Sequence, residues 1–123
     1  MAVLVTAIHV FSSMLMLPSP ERRRHNRNMQ GGWLYIMTNR PNGILYVGVT
    51  SDLPRRVAEH RQGVADSFTK RYGLKRLVYA ERHDDIRTAI QREKTVKHWP
   101  RAWKVRLIHA ENPEWTDLYD QLI

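Results

Sequence analysis

Arg56 and His60 stand one helical turn apart in the stretch LPRRVAEH, residues 53–60. Leu53, Arg56, Val57 and His60 fall at i, i+3, i+4 and i+7, so a helix would place all four on one face. Leu53 and Val57 then point to the core, and Arg56 and His60 flank that stripe at its rim. An arginine there can lay its alkyl stem over a sheet and hold a planar fork that matches a phosphate bidentately. The plain alternative is a helix edge with snorkelling side chains and no chemistry. Arg55 and Arg61 point elsewhere and read as solvated charge.

Just upstream, ILYVGVT (44–50) is strand-like, and alternation brings Tyr46 and Gly48 to the same face. Glycine weakens a strand and has no side chain to pack. One use for it is to let another group approach the backbone closely beside the Tyr46 hydroxyl. Tyr35, in WLYIMT (33–38), is the counterpart on the preceding strand. Farther along, Ile86, Ala89, Ile90, Glu93 and Val96 keep a helical apolar period, with Glu93 on the apolar stripe. A buried carboxylate costs free energy unless it is paired, protonated or bound to a cation. An ion pair with a sheet-facing arginine, a wet helix edge and a metal ligand all account for Glu93. On the residues alone the ion pair is the simplest.

The elements that must position these groups follow from the pattern. WLYIMT and ILYVGVT flank NRPNG (39–43), which reads as a β-hairpin. Ser51 or Asp52 caps the next helix, with Pro54 in its first turn, and Gly63 ends it. Residues 62–73 read mostly as loop. LKRLVYAER (74–82) reads as a third strand with imperfect alternation. Asp84 or Asp85 caps a helix to about His98, and Pro100 opens another that ends near Asn112. The tail EWTDLYDQLI reads as a short helix packing Trp115, Leu118 and Ile123. The order β-β-α-β-α-α makes a small α+β domain with a three-stranded, mostly antiparallel sheet flanked by helices.

Composition agrees with one globular domain: 42% hydrophobic and 26% charged residues in 123. The absence of cysteine excludes disulfides, thiolate metal sites and cysteine nucleophiles. A net charge of +8 favours a polyanionic partner. Residues 1–28 differ from the rest: an apolar run is followed by ERRRHNRN. We read them as an extension outside the fold, with translation starting at Met29, and residues 29–123 as the domain. A weak membrane anchor and a signal peptide are the other readings of that segment.

Taken together, these residues resemble the GIY-YIG nuclease superfamily, and most closely its small stand-alone bacterial predicted endonucleases. Trp33-Leu34-Tyr35 matches the first signature tripeptide in its tyrosine, and Tyr46-Val47-Gly48 matches the second closely. Gly48 to His60 follows the pattern Gly-x-x-x-[Asn/Asp]-Leu-x-x-Arg-x-x-x-His/Tyr. SFTKRYGLKRLVYAE, AIQREKTVKHW and NPEW also look like this subgroup. The resemblance implies a three-stranded antiparallel sheet with helices and hydrolysis of a nucleic-acid phosphodiester, with DNA favoured over RNA and low sequence specificity. It implies one Mg²⁺ or Mn²⁺ on Glu93, and Tyr46, assisted by Tyr35 or His60, activating the attacking water. It also implies that Arg56 stabilises charge on the phosphoryl oxygens and Gly48 leaves room for the phosphate. The chain departs from the pattern at the first signature's glycine, and it carries Val49 where some relatives have lysine. For the family's late asparagine, Asn112 is the nearest candidate and lies far downstream.

Lys70, Arg71, Lys75 and Arg76 around the third strand add phosphate contacts, as do Lys94, Lys97, Arg101 and Lys104 interleaved with Trp99 and Trp103. We expect Lys70, Arg71 and Lys97 to bind substrate. The same tryptophans serve equally as core. Three functions compete: a metal-dependent endonuclease, a catalytically weak or inactive nucleic-acid-binding module of the same fold, and a membrane-tethered interaction protein. A pure binder needs no carboxylate facing the phosphate, which favours the first. The expected setting is cytoplasmic, without stable membrane association.

Overall fold

The computed structural model describes residues 31–122. The readings made for residues 1–28, the Met29 start and Ile123 lie outside the described residues. Among the described residues no helix is long and apolar enough to cross a membrane.

Three antiparallel strands form the sheet: β1 (Gly32–Thr38), β2 (Leu45–Thr50) and β3 (Arg76–His83), in the order β2-β1-β3. β1 is central and every residue in it is buried. That explains why GWLYIM does not alternate apolar with polar residues before Thr38. Its side chains divide the interior in two. Trp33, Tyr35 and Met37 join one cluster, and Leu34 and Ile36 join the other. The turn before β2 closes with Asn42 in the left-handed region (φ 58°). It is tied down by Arg101, whose guanidinium donates to the carbonyls of Asn42 and Gly43 at 3.0 and 2.7 Å.

Helix α1 (Leu53–Gln62) packs Leu53, Val57 and His60 inward. Asp52 accepts from the Arg55 N–H at 3.3 Å, and Gly63, at φ 76°, ends the helix. A second helix, α2 (Ser67–Tyr72), stands where the sequence pattern reads as loop. That expectation is corrected by two local signals. The Asp66 carboxylate caps the Phe68 and Thr69 N–H groups at 2.7 and 3.4 Å, and Gly73 at φ 64° closes the far end. Six residues are too few for periodicity to register.

The irregular alternation of the third strand also has a structural cause. The β1–β3 register shifts between Ile36 and Met37, which face Tyr79 and Leu77, so Val78 is the extra residue of a bulge. Val78 and Tyr79 consequently join the same cluster. Helices α3 (Ile86–Lys97), capped by Asp85, and α4 (Arg101–Glu111) contribute Val96 and Ile108 to that cluster. The tail is a 3-10 helix (Leu118–Leu122), and its Leu118 and Leu122 cover the opposite cluster. Arg61, expected to be merely solvated, fastens this tail to α1. It donates to Asp117 at 2.8 Å and lies over the Tyr119 ring at 4.6 Å.

Candidate active site

The β1–β2 register places Tyr35 directly opposite Gly48. A β-carbon on Gly48 would stand 2.5 Å from both Cζ and the hydroxyl oxygen of Tyr35. The space over this glycine is therefore filled by the neighbouring phenol. The glycine makes room for Tyr35, in place of the phosphate expected from sequence. Tyr35 is fully buried, and its hydroxyl lies 2.8 Å from His60 Nε2.

His60 was expected at the rim of α1; instead it is wholly buried. It can be so because both ring nitrogens have partners: Tyr35 on Nε2 and the Thr69 hydroxyl on Nδ1 at 3.0 Å. Burial, followed by the nearby Arg56 charge, pushes the His60 pKa below the ordinary histidine value, which keeps the ring neutral at pH 7.

Tyr46 is half-buried and stands at the mouth of this group. Its ring lies 6.3 Å from that of Tyr35 and 5.3 Å from His60, edge-on to the imidazole. Burial raises its pKa, with the Asp66 and Glu93 charges adding to the rise and Arg56 opposing it. Burial also raises the Tyr35 pKa strongly, against a hydrogen-bonding contribution from Arg56. Both phenols are thus protonated at neutral pH. The Arg56 guanidinium is held more firmly in its charged form, first by Tyr35. It is partly exposed and makes one ion pair, to Glu59 at 3.3 Å.

Glu93 is half-buried on α3, between the buried Ala89 and Val96. Among the described residues it has neither a hydrogen bond nor an ion pair. The ion pair expected for it is made by another carboxylate: Glu81 of β3 accepts from Arg92 at 3.0 and 3.3 Å, from Tyr79 at 2.7 Å, and contacts His83 at 2.6 Å. Glu93 is left as an unneutralised carboxylate whose charge is felt at the Tyr46 phenol. No group of three or more His, Cys, Asp or Glu side chains suited to a metal occurs among the described residues. A cation held here would have one protein carboxylate and take its other ligands from water and phosphate oxygens. Mg²⁺ accepts such a site.

Five of the sequence-derived residues, Tyr35, Tyr46, Gly48, Arg56 and His60, therefore form one cluster, with Glu93 electrostatically linked to it. Lys70 and Arg71 are exposed on α2, beside Phe68, whose ring stacks on Tyr46 at 6.4 Å. Lys97 is exposed at the end of α3. Among the described residues no hydrogen bond or ion pair joins these three side chains to the cluster. Asn112 is structural: its amide donates to the carbonyls of Val78 and Thr116 and accepts from the Thr116 N–H. Trp99 packs against the second cluster, whereas Trp103 is exposed. Sequence reasoning missed Thr69 and Asp66. The available signal was the Asp66 cap and Gly73 stop that bracket α2.

A model of the GIY-YIG catalytic domain matches residues 31–106. A UPF0213 protein of Natronomonas pharaonis is 42% identical over 67 residues, covering 54% of this chain and 79% of that protein. One from Staphylococcus saprophyticus is 32% identical over 80 residues, covering 65% of this chain and 96% of its own length. Another, from the Orgyia pseudotsugata multicapsid polyhedrosis virus, is 36% identical over 81 residues, covering 64% and 78%. No solved structure matches. The match spans all three strands, α1 to α3 and every residue of the cluster, and the chain belongs to the GIY-YIG family, whose catalytic domain is that of nucleic-acid endonucleases.

Proposed function

We propose that the protein is a divalent-metal-dependent endonuclease that hydrolyses phosphodiester bonds, in DNA in preference to RNA and with little sequence preference. One observation carries this reading. The half-exposed Tyr46 phenol lies beside a neutral buried imidazole, and the charges of the Arg56 guanidinium and of the unpaired Glu93 carboxylate both act on it. A structural core has no need of that combination.

The positions support the following roles. Tyr46 is the phenol that reaches solvent, so it hydrogen-bonds the attacking water. As the water gives up a proton to the Tyr46 oxygen, Tyr46 passes its own to Tyr35, and Tyr35 passes its own to His60 Nε2. Hydroxide bonds to phosphorus, the P–O bond to the leaving group breaks, and the leaving oxygen takes a proton from solvent. Neutral His60 has an open nitrogen for this; a charged one would not. Arg56 faces the charge that grows on the phosphoryl oxygens. Glu93 would hold the cation. Nucleases of this family generally use a divalent metal, and one bound there would polarise the phosphate and stabilise the leaving oxygen. Lys70, Arg71 and Lys97 supply phosphate contacts that position a strand without reading its sequence, which supports low specificity.

The test is incubation of the full chain with branched, single-stranded and duplex DNA and with RNA, with and without Mg²⁺ or Mn²⁺. The reading expects metal-dependent cleavage of at least one DNA and slower cleavage of RNA. Binding without cleavage under every metal would make the protein a binding module.

A further inference from the structure

We infer that Thr69 is a positioning residue that fixes the proton of neutral His60 on Nδ1, leaving Nε2 as the acceptor for Tyr35. The inference rests on the nuclease reading only for its catalytic consequence.

Counting the protons available to Thr69 and His60 decides the tautomer. Thr69 is 1% exposed and its hydroxyl touches two groups, the Asp66 carbonyl at 3.0 Å and His60 Nδ1 at 3.0 Å. A carbonyl oxygen only accepts, so the single hydroxyl proton points to Asp66. Were it turned to His60 instead, two oxygens would face each other at 3.0 Å with no proton between them. The contact with the imidazole is then Nδ1–H donating to Thr69, which leaves Nε2 bare in the neutral ring. Tyr35, 2.8 Å from Nε2, must be the donor in that bond. The chain of donors runs one way, from the Tyr35 hydroxyl through His60 and Thr69 to the Asp66 carbonyl.

The carbonyl is fixed independently of His60. It also accepts the Lys70 N–H at 3.0 Å, and the Asp66 carboxylate caps the first turn of α2. Helix α2 thereby acts as a rigid bracket that decides which histidine nitrogen can take a proton. A serine at position 69 keeps the hydroxyl and the chain of donors. A valine keeps the shape and burial but removes both bonds. Nothing would then hold the proton on Nδ1, and the alternative tautomer would place an N–H against the Tyr35 oxygen.

The experiment is nitrogen-15 NMR of the His60 ring in the full chain, for the unsubstituted protein, Thr69→Ser and Thr69→Val, each checked for folding by circular dichroism. DNA cleavage is measured on the same samples. The expected result is a pyrrole-type Nδ1 and a pyridine-type Nε2 in the unsubstituted protein and in Thr69→Ser. Thr69→Val should shift toward the other tautomer and lose roughly 10²-fold of kcat with KM little changed. A pyridine-type Nδ1 in the unsubstituted protein overturns the inference whatever Thr69→Val does, even if that variant fails to fold. A kcat loss in Thr69→Val with the tautomer unmoved overturns it too. If the unsubstituted protein shows the expected tautomer but cleaves no nucleic acid, the nuclease reading fails and the tautomer assignment stands.

Discussion

Gly48 and Tyr35 face each other across the β1–β2 ladder, and the missing β-carbon of one is the space taken by the phenol of the other. This packing seats the Tyr35 hydroxyl against His60 and keeps both behind Tyr46. Gly48→Ala should therefore destabilise the protein by about 1–3 kcal/mol through overpacking. In a Tyr35→Ala background the same change should cost much less, because the ring it strikes is gone. Urea unfolding of the two single variants and the double variant measures the coupling. Additive costs would show that Gly48 serves something other than Tyr35.

His60 supplies a pH signature. Burial, then the Arg56 charge, lowers its pKa from the ordinary 6.5. The unfolded chain takes up a proton near that value, while the folded one does so only at lower pH. Stability from this site is thus full above 6.5 and lost as pH falls toward the folded pKa. An NMR titration of His60 should give a midpoint below 6.5, and Arg56→Met should raise it. The acid limb of the cleavage profile should share the unsubstituted midpoint. A midpoint at or above the ordinary value would contradict a neutral base.

Arg56 touches the Tyr35 hydroxyl and pairs with Glu59. It is half-buried, and among the described residues its one ion pair is the partly exposed contact with Glu59 at 3.3 Å. Such pairs are worth about 0–1 kcal/mol. With the Tyr35 hydrogen bond lost as well, Arg56→Ala should cost about 1–3 kcal/mol of stability while lowering kcat by roughly 10²–10³-fold, the usual cost of removing one transition-state donor. Thermal melts and single-turnover cleavage on one preparation separate the two effects. A large fall in stability with intact turnover would make Arg56 a structural residue.

Much of this was legible in the sequence, and what was not has identifiable causes. The hairpin, α1 and α3 carry strong periodic and capping signals, so their expected positions agree with the structure. α2 is one and a half turns long and amphipathic patterns do not register at that length, although its Asp66 cap was there to read. The bulge at Val78 broke the alternation of β3, and a bulge reads as noise until the partner strand is known. In the site, residue types singled out Tyr35, Tyr46, Arg56 and His60, which the structure brings together, and Glu93, whose charge reaches Tyr46. Spacing could not tell that His60 lies wholly inside, because that depends on Thr69 arriving from α2. Nor could it tell that Gly48 answers Tyr35, which depends on strand register. Nor could it tell that Arg92 pairs with Glu81 and not with Glu93, which depends on how α3 packs on β3.

One buried group works against the fold. Glu111, on α4, is 8% exposed and its Oε2 lacks a partner among the described residues. Burial, with the Glu81 charge, raises its pKa from 4.5 to about 7. The folded state therefore binds a proton more tightly than the unfolded one. The stability this contributes is present below 4.5 and lost as pH rises through 7. Glu111→Gln should raise stability at pH 8 by about 1–3 kcal/mol and have little effect at pH 4. Thermal melts at the two pH values check it, and equal effects at both would refute the titration.

The central claim is that the unpaired Glu93 carboxylate, whose charge reaches Tyr46, holds the cation. The direct measurement compares cleavage of labelled DNA by the full chain and by Glu93→Gln, with Mg²⁺, with Mn²⁺ and with chelator, alongside DNA affinity. The account predicts metal-dependent cleavage by the unsubstituted protein. It predicts a fall of roughly 10²-fold or more in Glu93→Gln, with affinity for DNA nearly unchanged. Equal cleavage by the two proteins, or undiminished cleavage in chelator, would contradict it.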